Sequence, residues 1–190
     1  IPHMANADYI KNLAELIKNR LNPDLNVYVE YSNEVWNWLF PQSHWALETA
    51  NKEPYLSKLN YDGEINPGYL HFRFVGEKLK ECSDIFADVF GKDQLNKRVR
   101  PVLAGQIVYS ITYQQPLKYL SDKYGDPRNY IYAVAGAPYF NMGDARMAQT
   151  SLTVDDVIAG FNETVDQVVP VAVENLRGFA LDYGLKMMCY

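Results

Sequence analysis

The residues whose types and spacing suggest chemistry are Ser32-Asn33-Glu34. They end an alternating run, Val27-Tyr28-Val29-Glu30-Tyr31, and are followed by Trp36, Trp38 and Trp45, all three tryptophans of the chain. A carboxylic acid at a strand end, set among apolar rings, can hold its proton and then donate it, because burial disfavours the charged form. Glu34 is therefore the candidate general acid, with Trp36 and Trp38 as the rings beside it. A plainer reading makes Glu34 a solvated turn residue and Asn33 a helix cap. A capping box would put Glu or Gln three residues after the cap, and Trp36 stands there instead.

Other residues reach Glu34 only if the surrounding elements bring them. Apolar positions recur with helical period over residues 8–21, and Asn22-Pro23-Asp24 ends that stripe. Residues 27–31 then predict a strand, 41–49 a short helix, and 51–67 a long irregular loop with turn signals at Asp62-Gly63 and Asn66-Pro67-Gly68. A long helix is predicted over 69–90 through Phe72, Val75, Leu79, Cys82, Phe86 and Val89, stopped by Gly91. A strand over 99–107, a helix over 115–124 ended by Gly125, and a continuously apolar strand over 130–139 follow. Thr153, three residues before Asp156, is the expected N-cap of a helical stretch to residue 183 that Pro170 kinks or divides. Gly184 closes it, ahead of a strand over 185–190.

The order βαβαβαβ predicts an α/β fold with right-handed crossovers, either a closed (β/α) barrel or an open doubly wound sheet. No Gly-rich phosphate loop follows any strand, which removes support for a nucleotide-binding fold. A complete barrel has eight strands in typically about 250 residues. This chain of 190 residues supplies four strands and, at Ile1-Pro2-His3, the end of another. The expectation is a partial (β/α)8 TIM barrel, the middle of one. Residues 1–190 then form a single incomplete barrel domain, cut at both ends.

In such folds chemistry collects at the C-terminal ends of the strands. Those positions hold His3, Asn33-Glu34, Gln106, Tyr139-Phe140-Asn141 and Tyr190. His3 faces the cleft or is structural; Gln106 meets a ligand or satisfies backbone groups. Trp38 and Trp45 stand two helical turns apart, so at least one tryptophan is expected in the core. His44 and His71 fall in helical patterns and are read as ordinary. No His/Asp/Glu cluster has metal-ligand spacing and no Ser has a nucleophile-elbow context, so neither metal nor cofactor is expected.

The chain is 48% hydrophobic with a formal net charge of -5, so no basic patch argues for nucleic acid or an anionic membrane. No run is apolar for long enough to span a bilayer. Aromatics make up 14%, which gives either a heavy aromatic core or a cleft of flat, amphipathic rings suited to sugars. Cys82 and Cys189 read as two free thiols or a disulfide.

The segment Val29-Glu30-Tyr31-Ser32-Asn33-Glu34-Val35-Trp36-Asn37 resembles the fourth strand of clan A retaining glycoside hydrolases, whose acid/base is a Glu directly preceded by Asn. That resemblance implies a chain running from the end of strand 3 through strand 7. Glu30–Asn37 with Phe40, Gln42 and Trp45 carry the nearer likeness. Within that clan it is most similar to bacterial proteins described as cellulose-binding or glycoside-hydrolase-like. The resemblance implies a secreted or periplasmic barrel acting on a plant or algal-type β-glycan, with Glu34 as acid/base. It implies that Asn33 hydrogen-bonds a sugar 2-hydroxyl and that Tyr139 orients a nucleophile. That nucleophile would be a second Glu at the end of the seventh strand, just after Tyr190. His3, Trp36, Trp38, Gln106 and Tyr190 are the expected sugar contacts. A non-catalytic barrel that binds carbohydrate through the same aromatic cleft stays open as an alternative.

Overall fold

The computed structural model describes residues 1–189. Four strands, β1 (Val27–Val29), β2 (Val99–Gln106), β3 (Ala133–Ala137) and β4 (Lys186–Cys189), form one sheet in the order β1-β2-β3-β4. Each neighbouring pair is parallel, with Val27 opposite Val99, Gly105 opposite Gly136, and Ala135 opposite Met188. Parallel neighbours need long crossovers, and the helices supply them. They are α1 (Ala7–Arg20), α2 (Pro41–Ala50), α3 (Tyr55–Leu59), α4 (Pro67–Phe90), α5 (Ile111–Tyr124), α6 (Asp144–Met147), α7 (Val154–Gln167) and α8 (Val169–Asp182).

Alternation along the strands sends Val27, Val29, Val99, Leu103 and Val134 into one core cluster. The same cluster takes Ile10 from α1, Ala46 from α2, Phe74 from α4, Leu117 from α5 and Leu176 from α8. Beyond β1 the chain start joins the ladder. The Ile1 amino group donates to the Glu30 carbonyl at 2.8 Å and the Ser32 amide donates to the Ile1 carbonyl at 2.7 Å, a parallel-type pair across Tyr31.

The long α4 starts where the Asn66 side chain accepts from the Gly68 amide at 2.9 Å and ends at Gly91, whose φ of 108° leaves the helix. It lies against α1, α2 and α5 and buries even charged residues. Arg73, 2% exposed, donates to both Asp62 oxygens (2.7 and 2.9 Å), to the Leu59 carbonyl (2.9 Å) and to Gln115 Oε1 (2.9 Å). Glu77 accepts from Tyr119 at 2.8 Å and Tyr124 at 2.6 Å, and pairs with Lys58.

The facing glycines Gly105 and Gly136 let α5 and α8 lie close on the sheet. A Cβ at Gly105 would sit 2.7 Å from the Tyr113 ring and closer still to Thr112 Oγ1; at Gly136 it would sit 2.8 Å from Leu176. Gly105→Ala is expected to destabilise by about 1–3 kcal/mol through overpacking. Urea denaturation checks this, and a variant within experimental error of the parent would refute the close approach.

Several boundaries differ from the sequence expectation. β1 is shorter than 27–31, because the backbone turns at Ser32 (φ 62°) and Tyr31 pairs with Ile1 instead. The stretch 51–67 contains α3, a helix of 5 residues. α5 begins a turn earlier than 115, with Pro116 inside it and packed on Gly76 of α4. β3 is confined to Ala133–Ala137, since Pro127–Asn129 form a 3-10 turn and Tyr130 donates to the Leu120 and Gly125 carbonyls, each at 2.9 Å. The stretch 153–183 is divided at Val168, the second of the two outcomes expected of Pro170, and Thr153 is the N-cap as expected, completing a capping box with Asp156. Both cysteines are free, Cys82 buried and Cys189 exposed. No helix among the described residues is long and apolar enough to cross a membrane.

Candidate functional site

The backbone after β1 is contorted for a reason visible in its hydrogen bonds. Ser32 (φ 62°) and Glu34 (φ 45°) both occupy the left-handed region, at a cost of order 1 kcal/mol or more each for residues with a Cβ. The strain is held by α2. Gln42 Nε2 donates to the Asn33 carbonyl at 2.7 Å, and Ser43 Oγ donates to the Asn37 carbonyl at 2.6 Å. Inside the turn the Asn37 amide donates to the Glu34 carbonyl at 2.8 Å. The result is a fixed loop at the C-terminal end of β1 that presents one carboxylate.

Both oxygens of that carboxylate have partners. Asn37 Nδ2 donates to Glu34 Oε2 at 2.8 Å, and the Tyr139 hydroxyl, from just past β3, donates to Oε1. The hydrogen bond to Glu34 is the main reason the Tyr139 phenol is pushed up to about 12, so it remains a donor across ordinary pH. The two oxygens are not equivalent. An amide NH₂ can only donate, so Oε2 is committed as an acceptor, while a hydroxyl can also accept. Oε1 is therefore the oxygen whose partner can either donate or accept, and it is shared with Tyr139. Tyr139 is 48% exposed and can yield that position to another oxygen.

Beside this pair lies a cleft of about 320 Å³ lined by Trp36, Asn37, Trp38, Leu39, Gln106 and Tyr139. Trp38 is 46% exposed and forms its flat wall. Two histidines back it: His71 meets the Trp38 ring edge-on at 5.3 Å, and His44 lies 5.8 Å from it while its Nε2 reaches the Trp38 carbonyl at 2.8 Å. His71 is fully buried, with neither ring nitrogen hydrogen-bonded, and burial drives its pKa down to about 4. It stays neutral near pH 7.

The expected site residues divide accordingly. Glu34, Tyr139, Trp38 and Gln106 come together, and buried Trp36 forms the inner wall with its Nε1 unpartnered. Asn33 is exposed beside them. His3 does not line the cleft: its ring packs edge-on against Trp45 at 5.2 Å and its carbonyl accepts from the Tyr31 hydroxyl at 2.8 Å. Trp38 is outside any helix, so the two-turn spacing to Trp45 has no meaning; Trp45 packs on Phe74 in the core. Tyr190 lies outside the described residues. Tyr139 touches the acid/base candidate itself rather than a second carboxylate. Asn37, His44 and His71 were not anticipated. Only the spacing of Asn37, one helical turn after Glu34, could have pointed to it. Among the described residues no group of three or more His, Cys, Asp or Glu could hold a metal.

Glu30 is a further carboxyl on this side of the molecule, half-buried beside Trp36, Val102 and Ala104. Burial raises its pKa from 4.5 to about 7, the Ile1 ammonium opposes that, and the charge of Glu34 adds to it. Between those pH values the folded protein holds a proton that the unfolded chain has released. Stability from this group is thus present below about 4.5 and lost as pH rises through about 7, a swing on the order of 3 kcal/mol. Glu30→Gln, always neutral, should therefore gain on the parent as pH rises from 4.5 to 8 in denaturant titrations. A difference that stays constant with pH would refute the assignment.

No protein-family model, curated protein or solved structure matches this chain.

Proposed function

We propose that the chain is part of a retaining β-glycoside hydrolase of the (β/α)8 barrel type, with Glu34 as its general acid/base. The observation that carries this reading is the pairing of Glu34 Oε1 with Tyr139 beside an exposed tryptophan wall, all at the C-terminal ends of parallel strands. The consecutive strand order supports the barrel. A doubly wound sheet reverses its order at a switch point, whereas here each strand adds beside the last and Ile1 continues the series on the other side of β1.

In this mechanism a glycosidic oxygen enters over Trp38 and displaces the Tyr139 hydroxyl from Oε1. Glu34 gives it the proton as the C–O bond breaks, while Asn37 keeps Oε2 in place. A second carboxylate about 5 Å from Glu34 attacks the anomeric carbon, and Glu34 then takes a proton from water to complete hydrolysis. Asn33, exposed at the same edge, is assigned to the sugar 2-hydroxyl. The cleft's described lining contains no carboxylate, so this reading leaves the nucleophile's role to a Glu outside the described residues. The same fact favours a second reading, a carbohydrate-binding barrel in which Glu34 only accepts hydrogen bonds from sugar hydroxyls.

The test uses the protein with whatever sequence flanks residues 1–190. Release of reducing sugar from β-glucan, xylan and galactan is measured, with the product anomer followed by NMR. Hydrolysis with net retention supports the enzyme. Binding without turnover selects the second reading, and neither binding nor turnover overturns both.

A further inference from the structure

The walls of the cleft specify the charge of what they receive, an inference that rests on the glycan reading above. Each polar side chain offered there is neutral. Asn37 and Gln106 present carboxamides and Tyr139 a phenol, Glu34 stands behind Asn37 and Tyr139, and no Lys, Arg or His is among the described lining residues. Gln106 ends β2 half-buried, and its carboxamide makes no hydrogen bond to another described residue. It is thus an unspent donor and acceptor pair facing the cleft. A sugar hydroxyl, itself donor and acceptor, can satisfy both ends of that amide.

Neither histidine is among the described lining residues. His71 is buried behind Trp38 and held neutral, and His44 Nε2 bonds to the Trp38 carbonyl. Sites that select carboxylate, sulfate or phosphate do so with guanidinium, ammonium or converging backbone N–H groups, whose charge offsets the anion's lost hydration. Here no positive side chain among the described lining residues offsets the hydration an anion would lose on entering. The exposed face of Trp38 suits the C–H face of an uncharged pyranose.

We propose that the subsite walled by Trp38, Gln106 and Tyr139 takes an uncharged sugar ring and rejects uronates and sulfated sugars, with Gln106 as the polar contact to the sugar. The experiment is a titration of the protein, followed by tryptophan fluorescence and calorimetry at about 0.15 M salt. The probes are cellohexaose, xylohexaose and mannohexaose against hexagalacturonate and hexamannuronate. At least one neutral hexasaccharide is expected to bind, at least tenfold more tightly than either uronate. Trp38→Ala and Gln106→Ala should each weaken that binding about tenfold or more, and Gln106→Lys should close the gap between neutral and charged probes. Circular dichroism establishes that these exposed or half-exposed sites tolerate substitution. A uronate that binds as tightly as the neutral probes, and loses affinity in Trp38→Ala, overturns the selectivity while leaving a glycan site in place. Gln106→Lys without effect on the preference removes Gln106 from its role. If no hexasaccharide of either class binds in a Trp38-dependent way, the glycan reading itself falls.

Discussion

Glu34→Gln is expected to lower glycan hydrolysis about 10²–10⁴-fold, the usual worth of a positioned general acid. The substitution keeps the side chain's shape and its hydrogen-bonding size but removes the titrating proton. Asn37 can still donate to the remaining oxygen, and Tyr139, free to accept as well as donate, can still meet the new amide, so the loop from Ser32 to Phe40 should keep its form. The loss should shrink for nitrophenyl β-glycosides, whose leaving groups depart without protonation. Breakdown of the glycosyl-enzyme would still need a base, so azide should restore turnover and yield a β-glycosyl azide. The separate steps distinguish a catalytic from a structural role. A variant that loses activity equally on all leaving groups, with no azide rescue, would mean that Glu34 only holds the loop. Unchanged activity would remove it from the chemistry altogether.

The parts of this site that could be read in the sequence are those that depend on local periodicity. Strand ends are local: alternation placed Glu34 and Gln106 at the ends of their strands, and the apolar run before Tyr139 did the same. The capping box of Thr153 and Asp156 is local too. What could not be read depends on how the chain folds back. Asn37 reaches Glu34 only because Ser32 and Glu34 adopt left-handed backbone angles that no residue type there announces. His71 and His44 come from two different helices and meet at Trp38, so their helical periodicity marked them as ordinary. His3 misled for a related reason. Its place at a strand end is right in the ladder, since Ile1 pairs across Tyr31, but its ring turns to Trp45 and leaves the cleft. The helix α3 escaped because 5 residues are too few to show a period. The early start of α5 escaped because Pro116 reads as a first-turn residue, whereas Gly76 makes room for it mid-helix.

Arg73→Met should cost about 3 kcal/mol of unfolding free energy, the largest stability effect expected of a single change here. The methionine keeps much of the apolar stem, so the loss isolates the guanidinium. That group is almost fully buried and makes four hydrogen bonds, which join Asp62 in the loop before α4, the end of α3 and Gln115 of α5 to one point on α4. Removing it leaves the Leu59 carbonyl and Gln115 Oε1 without their donor and Asp62 without its counter-ion. Breaking such a pair by deleting one partner typically costs about 3–5 kcal/mol. The lower end applies because Asp62 keeps 31% of its side chain in water. The pH dependence gives an internal control. Hydrogen bonding to Arg73 holds the Asp62 carboxyl below its usual 3.8, so the pair's contribution is present above that pH and fades as acid protonates the folded state. The gap between parent and variant should therefore be full at pH 7 and narrower at pH 3 in urea titrations. Arg73→Lys should recover only part of it, since a single ammonium cannot span both Asp62 oxygens and Gln115 at once. Because His71 and Phe72 precede Arg73 on the same turn of α4, loosening this anchor should also free the Trp38 wall, seen as a rise in acrylamide quenching of tryptophan fluorescence before global unfolding. A variant within 1 kcal/mol of the parent, or a gap equal at both pH values, would show that neighbouring polar groups or water replace the guanidinium and that α4 needs no such anchor.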